Sequence, residues 1–201
     1  MTQDRTVPAD RRDAILDAAY EVFIAYGFRK TSMDDIARAA GISRPALYLG
    51  FRNKVDIFRA LSLRMMEACT GAARLSFEGD APFEARLAAA FEVSLFDLLR
   101  KVNATPHGIE LMGVNEEIAG DIQCEWRDRM TDAVAYGFEQ ADKRGEVILA
   151  RYGVSSYDLA RIVTDGVEGV VPLIMRGEQV EDRVRTLLRF VARAVSPDLC
   201  R

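Results

Sequence analysis

The chain has 201 residues, of which 49% are hydrophobic and 29% charged, the composition of an ordinary globular protein long enough for one large or two small cores. No apolar run approaches the ~20 residues needed to span a membrane, and the opening MTQDRTVPADRR lacks the apolar stretch of a secretory signal. The net charge of −4 is uneven. Residues 1–60 hold ten Lys/Arg and eight Asp/Glu, a net of +2, whereas residues 61–201 hold seventeen and twenty-three, a net of −6.

The cysteines and the single histidine argue against metal, disulfide and catalytic sites. Cys69, Cys124 and Cys200 are widely spaced and match no metal or disulfide pattern. We interpret Cys69 and Cys124 as free, mostly buried thiols of a cytoplasmic protein, with redox sensing as the alternative. The only histidine, His107, lies in a predicted loop, and no cluster of His, Cys and carboxylates has catalytic spacing. The sequence therefore predicts neither an enzyme nor a cofactor or metal site.

Helical periodicity and capping residues divide the first part of the chain into four predicted helices. Gly27 and Gly41 are predicted to end the first two helices, and Pro45 falls in the first turn of the third, where a missing N–H costs little. The predicted N-terminal caps are Asp10, Ser32, Ser43 and Asn53. Two short helices joined by a tight turn at Gly41 form a helix-turn-helix, which places its second helix in the DNA major groove.

The rest of the chain is also predicted to be helical. The apolar spacing predicts helices over residues 83–102, 109–114, 116–143, 156–176 and 180–195. Turn-rich segments separate them. In the connector before the last two helices, Val147-Ile148-Leu149 is compatible with a brief extended segment, but no strand is predicted.

The motif over residues 23–54 resembles the head of the TetR family of bacterial transcriptional regulators. That family pattern is F-x-x-x-G, then T-[ST], I-A-x-x-A-G-[VI]-S and L-Y-x-x-F-x-x-K. The matching residues are Phe23, Gly27, Thr31, Ser32, Ile36, Ala37, Ala40, Gly41, Ile42, Ser43, Leu47, Tyr48, Phe51 and Lys54. Two positions depart from the pattern: Pro45 stands where many members carry Gly, and Gly50 where many carry a His or Tyr that often contacts phosphate.

The resemblance implies an all-α protein of two domains. We expect residues 1–55 to form a three-helix helix-turn-helix DNA-binding domain, and residues 56–201 a helical ligand-binding and dimerisation domain. The expected protein is a cytoplasmic homodimer and a repressor on a pseudo-palindromic, double-stranded DNA operator, released by a small apolar effector. Two alternatives stay open, namely a transcriptional activator and a regulator whose body binds a protein partner.

The residues expected to contact DNA lie at the turn and on the two helices around it. They are Thr31, Ser32, Ser43, Arg44, Pro45, Ala46, Tyr48 and Lys54. Arg44 can reach a guanine edge bidentately or a phosphate; the alternative is a solvated side chain with no specific contact. The resemblance implies backbone contacts for Thr31, Tyr48 and Lys54.

Two residue sets in the body carry further expectations. The candidate ligand cavity comprises Phe91, Phe96, Met112, Trp126, Met130 and Phe138, with ordinary core packing as the alternative. The last two helices carry more apolar surface than a terminal pair needs, so we predict a four-helix dimer interface, with an intrachain core pair as the alternative. Its predicted residues are Val163, Val170, Leu187 and Val191.

Overall fold

The computed structural model describes residues 9–175 and 178–197, and within these ranges it contains helices and turns but no strand. The helices are α1 (Ala9–Tyr26), α2 (Met33–Ala39), α3 (Arg44–Tyr48), α4 (Lys54–Ser76), α5 (Phe83–Phe91), α6 (Asp97–Asn103), α7 (Gly108–Lys143), α8 (Ser156–Glu168), α9 (Val171–Met175) and α10 (Glu181–Ala194). A π-helical turn (Glu92–Phe96) follows α5, and a 3-10 turn (Leu149–Tyr152) follows α7. The predicted all-α fold class is confirmed.

Some sequence-based predictions lie outside the described residues. They are the exclusion of a secretory signal, as far as it rests on residues 1–8, the predicted helix end at Arg176, and the interpretation of Cys200. In the part of the chain that the structure describes, no helix is both long and apolar enough to cross a membrane.

Side-chain caps start the short N-terminal helices. The hydroxyl of Ser32 accepts the backbone N–H of Asp35 at 3.2 Å, and the Asp35 carboxylate accepts the backbone N–H of Ser32 at 3.0 Å, which completes a capping box before α2. Ser43 accepts an N–H of α3 at 3.3 Å, and Asn53 accepts one of α4 at 2.9 Å. These three predicted caps are confirmed. Between α2 and α3 the chain turns at Gly41, whose φ of 63° favours glycine.

The described chain falls into two compact units that differ from the predicted domains. The first unit runs up to Met66 and includes Arg100–Gln123, and the second comprises Glu67–Leu99 and the residues from Cys124 onward. Helices α4 and α7 therefore contribute residues to both units. The predicted boundary at residue 55 separates a DNA-binding part from a ligand-binding and dimerisation part, and it was not drawn from packing. It stays a prediction.

Aromatic packing forms the centre of the first unit. The rings of Phe23, Phe28 and Phe58 form a triangle with centroid separations of 5.4, 5.7 and 5.2 Å, mostly in tilted or edge-to-face arrangements. Leu111 and Val114 of α7 are buried in the same core. The start of α7 thus completes the hydrophobic core of the helix-turn-helix.

Polar contacts hold α7 to the same unit. The guanidinium of Arg59 on α4 donates to both carboxylate oxygens of Asp121 at 2.7 and 2.6 Å, and to the carbonyl of Ile118 at 2.7 Å. The hydrogen bond from Arg59 lowers the pKa of Asp121 to about 2. Near the start of α7, the Glu110 carboxylate accepts the backbone N–H of Arg29 at 2.9 Å.

The second unit has its own aromatic core and a buried ion pair. The rings of Phe83 on α5 and Phe138 on α7 lie 5.0 Å apart, and Phe77 stacks on Phe83 at 6.4 Å. Arg86 is buried, donates to the carbonyl of Phe77 at 2.9 Å, and pairs with the Glu146 carboxylate. A buried guanidinium is tolerated only when such partners replace water.

Three sequence-based predictions about the body are wrong. The boundary between the two helices expected within residues 109–143 lies at a kink in α7 at Ala119 (φ −137°, ψ 24°), rather than at residue 115. The expected helix over 156–176 ends at Glu168, because Pro172 lacks an N–H and its ring would meet the carbonyl four residues earlier. Cys124 is exposed rather than buried, whereas Cys69 is partly buried.

Candidate DNA-binding surface

The recognition helix α3 is held in place by side chains that point inward. With five residues it is too short to be stable alone, so its position depends on tertiary contacts. Leu47 has 0% of its surface exposed, and Phe51, just after the helix, is also buried. The opposite side of α3 presents Ser43, Arg44, Pro45 and Tyr48, all exposed as expected for groups that meet DNA.

Arg44 is the central group of this exposed side. Its Nη1 donates to the carboxylate of Asp34 on α2 at 3.1 Å, and its Nη2 lies 3.5 Å from the Tyr48 hydroxyl. The guanidinium carbon lies 5.6 Å from the centre of the Tyr48 ring. The hydrogen bond with Tyr48 and the charge of Asp34 raise the pKa of Arg44 above its ordinary value. The side chain is therefore charged and oriented before any DNA binds.

Lys54 is directed toward the protein, whereas a phosphate contact was expected for it. Its ammonium donates to the carbonyls of Phe28 at 2.8 Å, Arg29 at 3.1 Å and Thr31 at 2.9 Å, and it lies 4.6 Å from the centre of the Phe28 ring. An ammonium has three N–H groups, so none is left for DNA. Burial lowers the pKa of Lys54, an effect that the charge of Glu110 opposes.

Thr31 and Ser32 also use their hydroxyl groups within the protein. Thr31 is buried and its hydroxyl donates to the carbonyl of Gly27 at 2.7 Å, so it too is withdrawn from the expected phosphate contact. Ser32 is exposed, but its hydroxyl donates to Asp35 at 2.6 Å and serves in the capping box. Ala46 is partly buried beneath the exposed side of α3.

Sequence reasoning missed three exposed residues of this surface. Asp34 is ten residues from Arg44 in the chain, and only the angle between α2 and α3 brings their side chains together. Leu49 is an exposed apolar side chain immediately after Tyr48. Arg52 is also exposed and pairs with Asp56 on the next turn, at 3.1 Å. Both Leu49 and Arg52 could have been found from their position next to the recognition helix, and Arg52 also from its charge.

The candidate ligand residues divide between the two units of the described chain. Four of them, Phe91, Phe96, Met130 and Phe138, are fully buried in the packed core of the second unit. Trp126 is partly buried in that unit, whereas Met112 belongs to the first unit. A groove of about 660 Å³ lies instead between α5 and α10, lined by Pro82, Glu84, Ala85, Ala88, Asp182, Arg185, Thr186 and Arg189.

The candidate dimer residues differ in their surroundings. Val163 is buried in the core of its own unit, so its place in the predicted interface was wrong. Val170, Leu187 and Val191 are partly exposed. Leu187 lies 3.3 Å from where a Cβ on Gly166 would stand, so α10 approaches α8 closely at this point.

Comparisons with known proteins place the match in the N-terminal part. Residues 15–61 match the family model described as bacterial regulatory proteins, tetR family. The helix-turn-helix transcriptional activator FasR of Mycolicibacterium smegmatis is 34% identical over 90 residues, 45% of this chain and 41% of FasR. Four further curated regulators match over 24–39% of their own lengths. The chain thus matches less than half the length of each of these relatives.

Two relatives extend the similarity to nearly the whole chain. A helix-turn-helix transcriptional repressor of Mycobacterium tuberculosis is 26% identical over 194 residues, which are 93% of this chain and 94% of the repressor. The structure of SmeT, the repressor of the multidrug efflux pump SmeDEF in Stenotrophomonas maltophilia, covers 98% of this chain and 94% of SmeT with a TM-score of 0.62. At 19% identity the likeness to SmeT concerns the fold alone.

We predict that Lys54→Ala destabilises the protein and leaves the phosphate contacts unchanged. Loss of three hydrogen bonds from a charged, half-buried donor should lower the free energy of unfolding by about 2 kcal/mol. Denaturant unfolding measures that loss, and the salt dependence of DNA affinity should keep the parent's slope. Arg52→Ala is the converse control: it removes a neighbouring exposed cation with a weak ion pair, so stability should be kept while the salt slope falls. Unchanged stability together with a salt slope lower by about one unit would return Lys54 to the DNA interface.

Proposed function

We propose that the chain is a member of the TetR family of bacterial transcriptional regulators, whose family model matches residues 15–61, and that it is a sequence-specific DNA-binding repressor that acts as a homodimer. The observation that carries the proposal is the exposed side of α3, where Arg44 and Tyr48 stand outward while Leu47 anchors the helix. Residues 1–55 would supply the DNA-binding domain and the remaining residues the ligand-binding and dimerisation domain, acting in the cytoplasm. The relatives named above are regulators rather than enzymes.

In this proposal α3 enters the major groove with its N-terminal residues toward the base edges. The guanidinium of Arg44 has the planar geometry that matches the O6 and N7 acceptors of guanine. Tyr48 offers a hydroxyl for a phosphate or a ring face for a thymine methyl group. With Lys54 and Thr31 turned inward, the backbone contacts fall to Ser43, Tyr48 and the neighbouring Arg52.

Dimerisation is supported by an apolar stripe on α8 and α10. Gly166 and Leu187 mark the line along which the two helices meet. Ile162 lies one turn before Gly166, and Phe190 lies one turn after Leu187, so both extend the same faces. Their side chains are 63% and 72% exposed, which is unusual for residues of this size on adjacent helices. A second copy of the stripe would cover them as a four-helix interface, and Ile162 replaces Val163 in the proposed residue set.

The names of two relatives bear on whether the protein represses or activates transcription. The relative that matches over most of both chains is named a repressor, while FasR, which matches over less than half of its length, is named an activator. A two-fold dimer on a pseudo-palindromic operator suits either role, because the position of the operator relative to the promoter decides between them. An activator is therefore the alternative function.

We predict that Arg44→Ala relaxes sequence specificity rather than affinity for DNA in general. Loss of a bidentate contact should cost about 1–3 kcal/mol at one operator position. Binding of operator duplexes substituted one base pair at a time would measure it. Arg52→Ala is the companion variant, since a lost phosphate contact should weaken binding to every duplex alike. A uniform loss for Arg44→Ala would reassign Arg44 to the DNA backbone.

We predict that Phe190→Glu yields a folded monomer with weak operator binding. The side chain is exposed in the single chain, so a charge costs little there, but it would be buried and unpaired in the dimer. Sedimentation and circular dichroism would report assembly and folding separately. Leu75→Glu is the matched control, because Leu75 is 64% exposed on α4, away from the stripe. A monomeric parent, or a dimeric Phe190→Glu variant with full affinity, contradicts the interface.

We predict that a small apolar effector raises the melting temperature and weakens operator binding. Triclosan is the first probe, since SmeT has been solved in complex with it. Saturating ligand should raise the melting temperature by several degrees, because binding at about 100 times Kd adds roughly 2.7 kcal/mol to stability. Binding at Phe91, Phe96 and Met130 requires the core around them to open, because all three side chains are fully buried. Absence of a shift across a panel of apolar compounds would favour a protein partner.

A further inference from the structure

The candidate DNA-binding surface contains an acidic side chain, Asp34, in contact with Arg44. The Asp34 carboxylate lies beside α3, where phosphates are expected to approach, and it accepts a hydrogen bond from Arg44 at 3.1 Å. The two side chains are 50% and 59% exposed, so the pair is open to solvent and adds little to stability. The role of Asp34 must therefore be sought in what it does to Arg44.

Asp34 and Tyr48 together restrict the orientation of the guanidinium. Asp34 occupies one N–H of Nη1, the Tyr48 hydroxyl lies against Nη2, and the Tyr48 ring lies near the guanidinium carbon. A free arginine side chain has many rotamers, and part of that freedom is lost on binding. Contacts that restrict the fork beforehand reduce that loss. The remaining N–H groups of Arg44 stay available to a base.

The charge of Asp34 also distinguishes the two acceptors that Arg44 can meet. A guanine edge is uncharged and offers two acceptors with the spacing of the guanidinium fork. A phosphate is anionic, so placing it on Arg44 brings it close to the Asp34 carboxylate, and the like charges repel. Removal of the carboxylate would relieve that repulsion and free the guanidinium to turn toward the backbone.

We propose that Asp34 is a positioning residue for specificity, which holds Arg44 for a guanine edge and discourages its contact with phosphate. This inference rests on the proposed function, because it requires α3 to read DNA. Asp34 thereby affects how the protein discriminates between DNA sequences, which goes beyond the assignment of Arg44 as a contact residue.

The test compares the full chain with Asp34→Asn, Arg44→Ala and the double variant. Selection from 30-base-pair duplexes with randomised centres identifies the preferred site of the parent. Fluorescence anisotropy then gives Kd for that site, for each single base-pair substitution, and for a random-sequence duplex. We expect Asp34→Asn to bind the random duplex more tightly and to lose about tenfold in discrimination at the base pair where Arg44→Ala loses it. The double variant should lose no more discrimination there than Arg44→Ala alone.

Asp17→Asn is the matched control. Asp17 is another exposed aspartate paired with an arginine of a second helix, Arg64, at 2.6 Å, so the variant makes the same change of charge without touching Arg44. It should keep the discrimination of the parent. Circular dichroism verifies that both variants are folded.

The outcomes separate this inference from the proposed function. A parent that selects no sequence refutes the DNA-reading function, and the inference with it. A parent that selects a site, with an Asp34→Asn variant that discriminates as the parent does, refutes the inference alone. An Asp34→Asn variant that binds all duplexes more tightly by one common factor also refutes the inference, because Asp34 then acts only as a repulsive charge. Loss of discrimination at a base pair that Arg44→Ala leaves unaffected has the same consequence.

Discussion

The DNA-facing surface depends on the burial of one side chain, Leu47. A helix of five residues gains too few internal hydrogen bonds to offset the cost of ordering its backbone. Full burial of Leu47 contributes roughly 1.5–3 kcal/mol of hydrophobic stabilisation, and the Ser43 cap and Phe51 add to it. Because Leu47 faces inward, the residues beside it must face outward. The orientation of Arg44 and Tyr48 follows from that helical geometry.

The core that receives Leu47 is not made by the N-terminal helices alone. Leu111 and Val114 lie in it, and both come from α7, more than forty residues beyond the end of the helix-turn-helix motif. Arg59 adds a bidentate pair to Asp121 on the same helix. A fragment that ends at residue 66 would leave apolar surface of α1 and α4 open to water. The motif that reads as a domain in the sequence is therefore part of a larger folding unit.

The two best-placed cations of the motif have opposite roles, and their chemistry explains why. The ammonium of Lys54 is compact with three donors, and three converging carbonyls in the turn between α1 and α2 satisfy it completely. The guanidinium of Arg44 is planar with five donors, so Asp34 and Tyr48 orient it without exhausting its capacity. Charge counts alone would treat the two as equivalent. Geometry separates a residue that builds the head from one that can meet DNA.

The sequence by itself determined the all-α class, the helix-turn-helix and three of its caps, because capping and the inward periodicity of Leu47 are local properties that follow from spacing along the chain. It also predicted Arg44 and Tyr48 as DNA contacts, and both side chains are exposed on α3. Only the tertiary structure decided that Lys54 and Thr31 turn inward, that Asp34 meets Arg44, and that Val163 is core while Ile162 and Phe190 are exposed. These outcomes depend on which helices and turns pack against each other. Side-chain periodicity defines the apolar face of a helix but does not determine which element covers it.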